Sequence, residues 1–135
     1  MIYVVIDTNV IVSSFLSRDS IPGFIVEMIG SKIIVPIISD SIFEEYKEVL
    51  KRDKFGFNIS DINLFLQGIK KLGMNYKTNE SKQNFIDVSD KKFYDLYYSH
   101  NLECETYLIT GNKKHFPSEK NIVSPREFLE MLINK

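Results

Sequence analysis

Residues 3–12 read YVVIDTNVIV, and one carboxylate, Asp7, stands between two apolar runs. Tyr3 to Ile6 is an unbroken β-branched and aromatic run, the pattern of a strand buried on both faces. Val10 to Val12 is apolar again. An ionised Asp at the mouth of a core costs several kcal/mol unless something compensates it. Either backbone N–H groups hold this acid, or a cation does.

Working outward, strand-like runs alternate with helical ones. Ile2–Ile6 is the first strand and Val10–Leu16 the start of a helix. Ser20-Ile21-Pro22 suits a helix start, with Pro tolerated in the first turn, and that helix runs to Gly30. Ile33–Val35 is a second buried strand. Ser41-Ile42-Phe43-Glu44 has capping-box spacing and opens a helix reaching Lys51. A further helix spans Ser60–Leu72 and ends at Gly73, followed by a short strand at Asn75–Lys77 and a polar loop to Gln83. Asp90 is placed to cap a helix running to His100. Tyr107–Ile109 is a strand ending in Thr110-Gly111, and Ile122-Val123 is a short last strand. Ser124-Pro125-Arg126-Glu127 then supplies an N-cap, Pro at N1 and Glu at N3. The pattern predicts one domain over residues 1–135, an α/β, Rossmann-like three-layer fold with a mostly parallel central sheet flanked by helices. In such sheets ligands gather outside the carboxyl ends of the strands, where Asp7 and the Thr110-Gly111-Asn112 turn both fall.

Bulk composition narrows the classes. Hydrophobic residues at 44% and charged residues at 26% suit an ordinary soluble domain of 135 residues. A net charge of −1 gives no global field for a polyanion, so any nucleic-acid contact must be local. The single Cys104 rules out an intramolecular disulfide, suits a reducing cytosol, and reads as a small half-buried core residue. No apolar stretch approaches the roughly 20 residues of a membrane span and no leader pattern is present, so the expected location is cytoplasmic, away from any membrane. There is no phosphate-binding glycine loop, and one Cys with two separated His argues against zinc.

Helical wheels bring three acids together. After Ser41, Ile42, Phe43, Tyr46, Val49 and Leu50 share a face, with Glu44 and Glu48 opposite it. Glu45 falls on the shoulder of that face, either leaning inward or pairing with a lysine at the boundary. After Ser89, Phe93, Tyr94, Tyr97 and Leu96 group together with Asp90 on their side, while Asp95 points to solvent. Asp90 reads as a simple cap or as a site residue, and Asp87 as loop or rim. Converging carboxylates raise one another's pKa, and a hard divalent cation with oxygen ligands, Mg²⁺ or Mn²⁺, reverses that cost.

Taken as an ordered set, these residues resemble a PIN domain of the small bacterial toxin-like kind. The set is Asp7-Thr8-Asn9 with Ser13; Ser41 with Glu45-Tyr46 and Glu48-Val49-Leu50; Asp87-Val88-Ser89-Asp90-Lys91-Lys92-Phe93; Leu108-Ile109-Thr110-Gly111-Asn112; and Ser124-Pro125-Arg126-Glu127-Phe128-Leu129. The resemblance covers nearly the whole chain. It implies a Mg²⁺- or Mn²⁺-dependent endoribonuclease acting on single-stranded RNA, often the toxin of a toxin–antitoxin pair, with one or two ions. Asp7, Glu45 and Asp90 match the family's first three acids and are the expected catalytic and metal-binding residues. Asn112 stands where the usual Thr-x-Asp turn has a fourth acid, so it can offer an amide oxygen but no charge. Thr8, Asn9, Ser13 and Thr110 are expected to orient the ligands, with local backbone capping as the other reading of Thr8 and Ser13. Lys113, Lys114 and Phe116 are candidates for RNA contact, against solvated lysines and a core Phe. His115 reads as a hydrogen-bonded neighbour of the carboxylates and His100 as a helix-end residue. An antitoxin protein and a second copy of the chain are the expected protein partners, for which the apolar faces at Phe15/Leu16 and Ile62/Leu64/Phe65/Leu66 are available if they are not core.

Other functions fit less well. Phosphorylated receiver domains need an acidic pair and a late Lys, and dehalogenase-type phosphatases need Asp-x-Asp, where this chain has Asn9. A PIN-like domain that binds RNA or protein without cutting is the alternative function, because Asn112 removes a charge.

Overall fold

The computed structural model describes residues 1–85 and 87–134. Its elements are β1 (Ile2–Ile6), α1 (Thr8–Leu16), α2 (Ile21–Gly30), β2 (Ile34–Ile38), α3 (Asp40–Leu50), α4 (Ile59–Leu72), β3 (Met74–Asn75), α5 (Val88–Asn101), β4 (Thr106–Ile109), β5 (Ile122–Val123) and α6 (Pro125–Ile133). Among the described residues the five strands form one all-parallel sheet in the order β3-β2-β1-β4-β5. The architecture is the three-layer, Rossmann-like α/β fold that alternating buried runs imply. No described helix is long and apolar enough to cross a membrane.

Strand order places the site. From β1 the chain winds through β2 to β3, then returns to β4 on the opposite side of β1. The sheet therefore reverses its winding between β1 and β4, the position where such folds open a crevice. Asp7 ends β1 and Thr110 ends β4, and the Asp7 N–H donates to the Ile109 carbonyl at 2.9 Å. Beneath them lies a dry floor: Val4, Val5, Ile6, Leu108 and Ile109 are essentially without solvent exposure.

Several boundaries shift for definite reasons. β2 continues beyond Val35 to Ile38 through Pro36, a residue that lacks a ladder donor and so hides a strand in sequence. Ile33 lies outside that strand and is half exposed. The cap of α3 is Ser39, which accepts from the Ile42 N–H at 3.3 Å, not Ser41. α5 is capped by Asp87, which accepts from the Ser89 N–H and hydroxyl, so Asp90 sits inside the first turn. β3 is Met74–Asn75, and Tyr76 beyond it only donates to the Ile38 carbonyl. Gly73 stands where a Cβ would come within 3.0 Å of the Pro36 carbonyl oxygen, so α4 closes onto β2 there only with glycine. At α6 the capping box forms as expected, Ser124 and Glu127 each accepting from the other's N–H.

The wheel misplaces Asp95. It is buried, not solvent-facing: the Ser81 N–H and the Lys91 ammonium both donate to it, and Ser99 holds Asn79 from both sides. Residues 79–81 thus cover the face of α5 that a simple amphipathic reading gives to water. His100 is likewise buried, edge-on to Tyr3 and Tyr76, with Nδ1 2.6 Å from the Thr106 hydroxyl. Cys104 is exposed in the turn after α5, not half-buried in a core.

One buried hydroxyl ties α3 to the sheet directly under the site. Tyr46 is fully enclosed and its hydroxyl donates to the Ile6 carbonyl at 2.5 Å. Tyr46→Phe is expected to lower the unfolding free energy by about 1 kcal/mol with unchanged denaturant slope. Unaltered stability in urea melts would mean that this bond contributes nothing.

Candidate active site

Asp7 is only 6% exposed. Its side chain does not cap α1. The Thr110 hydroxyl and the Asn9 amide donate instead to its Oδ2, at 2.7 and 3.2 Å. Asn9 also accepts from the Gly111 N–H at 3.2 Å, so the turn after β4 is sewn to the start of α1 across the crevice. Burial pushes the Asp7 carboxyl up to about 6 despite the Thr110 hydrogen bond, and the charges of Asp90 and Glu45 push in the same direction.

Glu45 comes from α3 and Asp90 from the first turn of α5, both half-buried. Glu45 leans inward and also pairs with a lysine, so its two readings coexist. The Thr8 hydroxyl donates to Oε2, and the Lys92 ammonium lies 2.5 Å from Oε1. Asp90 Oδ2 lies 3.2 Å from His115 Nδ1, and its pKa is raised by burial and by Asp87 more than His115 lowers it. Asn112 is exposed, and its N–H donates to the Thr110 hydroxyl at 3.0 Å. Asp87 is committed to capping and Asp95 to the 79–81 segment, so neither faces Asp7. Ser13 is half-buried, and its hydroxyl makes no hydrogen bond among the described residues. Thr8 orients Glu45 rather than Asp7.

The segment after Asn112 is a short 3-10 turn, Lys113–His115. Lys113 is engaged by Glu127 of α6, at 2.9 and 3.1 Å. Lys114 is exposed. Phe116 does not serve as a stacking platform: it is buried against Phe85 with ring centres 5.8 Å apart. The Tyr94 and Tyr97 hydroxyls of α5 both donate to Glu119, at 2.6 and 2.9 Å. These contacts fix the segment beside the acids.

The donor chemistry suits a hard divalent cation. The Asp7 carboxylate stands where anionic charge is already disfavoured, within electrostatic reach of Asp90 and Glu45, and Mg²⁺ accepts one or two carboxylates while keeping its waters. Among the described residues no three His, Cys, Asp or Glu side chains are close enough to form a ready-made cage. The acids line a rim, two of them holding basic partners. His115 is the hydrogen-bonded neighbour of Asp90 that the sequence reading expects, whereas the wheels do not reveal Lys92 and Glu119, because their partners come from distant segments.

Comparison with known proteins places this fold in a family. A family profile described as PIN domain matches residues 3–114. This chain belongs to the PIN domain family. An uncharacterized protein of Methanocaldococcus jannaschii, MJ1680, is 32% identical over 115 residues, covering 83% of this chain and 72% of the relative. The crystal structure of PAE2754 from Pyrobaculum aerophilum superposes with a TM-score of 0.52 at 12% identity, covering 99% of this chain and 91% of that one. That likeness speaks for the fold. PIN domains are generally nucleases, and a nuclease-type function follows for this chain at family level.

The raised Asp7 carboxyl has a stability consequence for the metal-free PIN domain. Its folded pKa of about 6 exceeds the ordinary 3.8, so its contribution is complete below pH 4 and is lost as pH rises through 6. At pH 7 the ionised group therefore opposes folding by up to about 3 kcal/mol. Asp7→Asn is expected to gain about 1–3 kcal/mol at pH 7 and almost nothing at pH 4, read from urea melts without divalent ions. Identical melts of both proteins at both pH values would contradict the burial cost.

Proposed function

We propose that this PIN domain is a Mg²⁺- or Mn²⁺-dependent endoribonuclease that cuts single-stranded RNA, acting as the toxin of a toxin–antitoxin pair. The observation that carries the reading is Asp7, a buried carboxylate kept at the switch point of the sheet within electrostatic reach of Glu45 and Asp90. A buried acid whose pKa is raised by desolvation and by neighbouring charges is a candidate functional position. When bound, a divalent ion supplies a water of lowered pKa and neutralises charge at phosphorus. Asp7 and Asp90 are the residues to hold it, with Glu45 as the further ligand and the Asn112 amide as a neutral one. Thr110 and Asn9 keep Asp7 aimed, and Thr8 keeps Glu45 aimed. Lys114 is the exposed cation at the mouth, suited to a backbone phosphate.

The toxin assignment rests on the resemblance and on surface character. Phe15, Phe57, Leu64 and Phe65 line a groove of about 450 Å³ among α1, α2 and α4. Ile62 and Leu66 are core, whereas Leu16 and Leu64 are about two-thirds exposed. An antitoxin segment or a second copy of the chain is the proposed occupant.

A second reading has its own observation. Asn112 carries no charge and Lys92 neutralises Glu45, which suits a domain that binds RNA or protein without cutting it. Incubation with a mixed single-stranded RNA pool decides between them. Cleavage is expected with Mg²⁺ and Mn²⁺, not with EDTA. Asp90→Asn should slow it at least about 100-fold, because even outer-shell partners of a metal cost 10–100-fold. Asn112→Asp should tighten Mn²⁺ binding. An intact pool under every condition would favour the binding module.

A further inference from the structure

Glu45 meets its neighbours with both oxygens already in use. Oε2 accepts from Thr8, and Oε1 faces the Lys92 ammonium at 2.5 Å. The pair is half-buried, its side chains 28% and 22% exposed, so solvent screens it less than a surface pair. The two consecutive lysines of α5 have different fates. Lys91 is tied to Asp95 and to the Ser81 carbonyl, away from the acids. Lys92 faces the acids, and besides Glu45 its ammonium meets the face of the Phe93 ring, 5.6 Å from its centre. A divalent ion approaching Glu45 therefore meets a fixed positive charge on the oxygen it needs. Asp90 has His115 Nδ1 on its Oδ2, a hydrogen-bonding partner that is cationic only when the imidazole is protonated.

We propose that Lys92 is a resident counter-ion of the acid site, seated on Glu45 in the free protein and transferred to a phosphate of the bound nucleic acid, so that phosphate and divalent-ion binding reinforce each other. This rests on the reading of Asp7, Glu45 and Asp90 as the ion site. Lysine suits the role: a compact charge on a flexible four-carbon stem exchanges one anionic partner for another with little rearrangement. Once a phosphate takes the ammonium, Glu45 recovers a free oxygen and the repulsion toward the ion falls. Linkage requires the converse, an ion on Glu45 making Lys92 available to phosphate. Asn112 strengthens the need for such a device, because the site lacks the fourth negative charge that would attract an ion unaided.

Calorimetric titration of the full chain with Mn²⁺, with and without adenosine 5′-monophosphate, tests this. The nucleotide carries a phosphate but no bond to cut, so the readout is independent of cleavage. In wild type the nucleotide should tighten Mn²⁺ binding roughly tenfold. Lys92→Met should bind Mn²⁺ roughly tenfold tighter than wild type without nucleotide and lose most of the coupling. Lys92→Gln should behave like Lys92→Met if that variant folds poorly, and Lys92→Arg should return wild-type behaviour by restoring the charge. Equal or weaker Mn²⁺ binding in the neutral variants overturns the proposal, as does coupling that persists without the ammonium. Absence of Mn²⁺ binding in every protein overturns it together with the ion-site reading, whereas binding that is merely insensitive to Lys92 overturns it alone.

Discussion

The structure is organised around a charge kept where water is scarce. Asp7 ends the central strand of a sheet buried on both faces, and its neighbours Ile6, Ile109 and Leu108 are sealed from solvent. Moving the carboxylate to the surface would relieve the cost. The fold instead commits Thr110 and Asn9 to it, and Asn9 in turn to Gly111. Those bonds lessen the desolvation penalty without removing it, since the carboxyl remains displaced to about 6. A residue that opposes folding and is nevertheless held by several hydrogen bonds is a candidate functional position, and a divalent cation is the partner proposed to settle its charge.

α5 does much of the remaining work. It supplies Asp90 to the rim, Lys92 to Glu45, and the tyrosines that hold Glu119. Through His115 and Glu119 it grips the segment after Asn112 at two points, so Lys114 is presented from a fixed base rather than a loose loop. The other side of the helix is anchored by Asp95 and Ser99 to residues 79–81. Enclosure on nearly every face is why this helix shows so little amphipathic character. Acids and bases on the rim are thereby held close but mostly paired with one another, an arrangement that suits the proposed exchange with an ion and a phosphate.

Much of the architecture was legible in sequence because the signals are local. Tyr3 to Ile6 announces a doubly buried strand by itself, and Ser124 with Glu127 announces a helix start within four residues. Alternation of elements puts Asp7 and Thr110 at the carboxyl ends of their strands, whereas the order that makes β1 and β4 neighbours is set by pairing between segments remote in the chain. What escaped reading depended on partners remote in the chain. Pro36 conceals the second half of β2, since only its place in the sheet shows that the missing N–H is tolerated. Asp95 looks like a surface acid until residues 79–81 fold over it, and only the contact with Phe85 decides for the core reading of Phe116 over the stacking one. Asp90 reads as the cap of α5 and Asp87 as loop or rim, and only backbone geometry shows that Asp87 is the cap. Lys92 carries no local sign of its role, because Glu45 lies on another helix.

The central claim concerns one proton at one carboxyl. Carbon-detected NMR titration of the Asp7 side chain, with and without saturating Mg²⁺, addresses it directly. Without the ion the midpoint is expected near 6, and with the ion it should fall by at least about one unit as the charged form gains its counter-ion. A midpoint near the ordinary 3.8 that ignores Mg²⁺ would show a solvated acid with no cation to serve, and the account would fail.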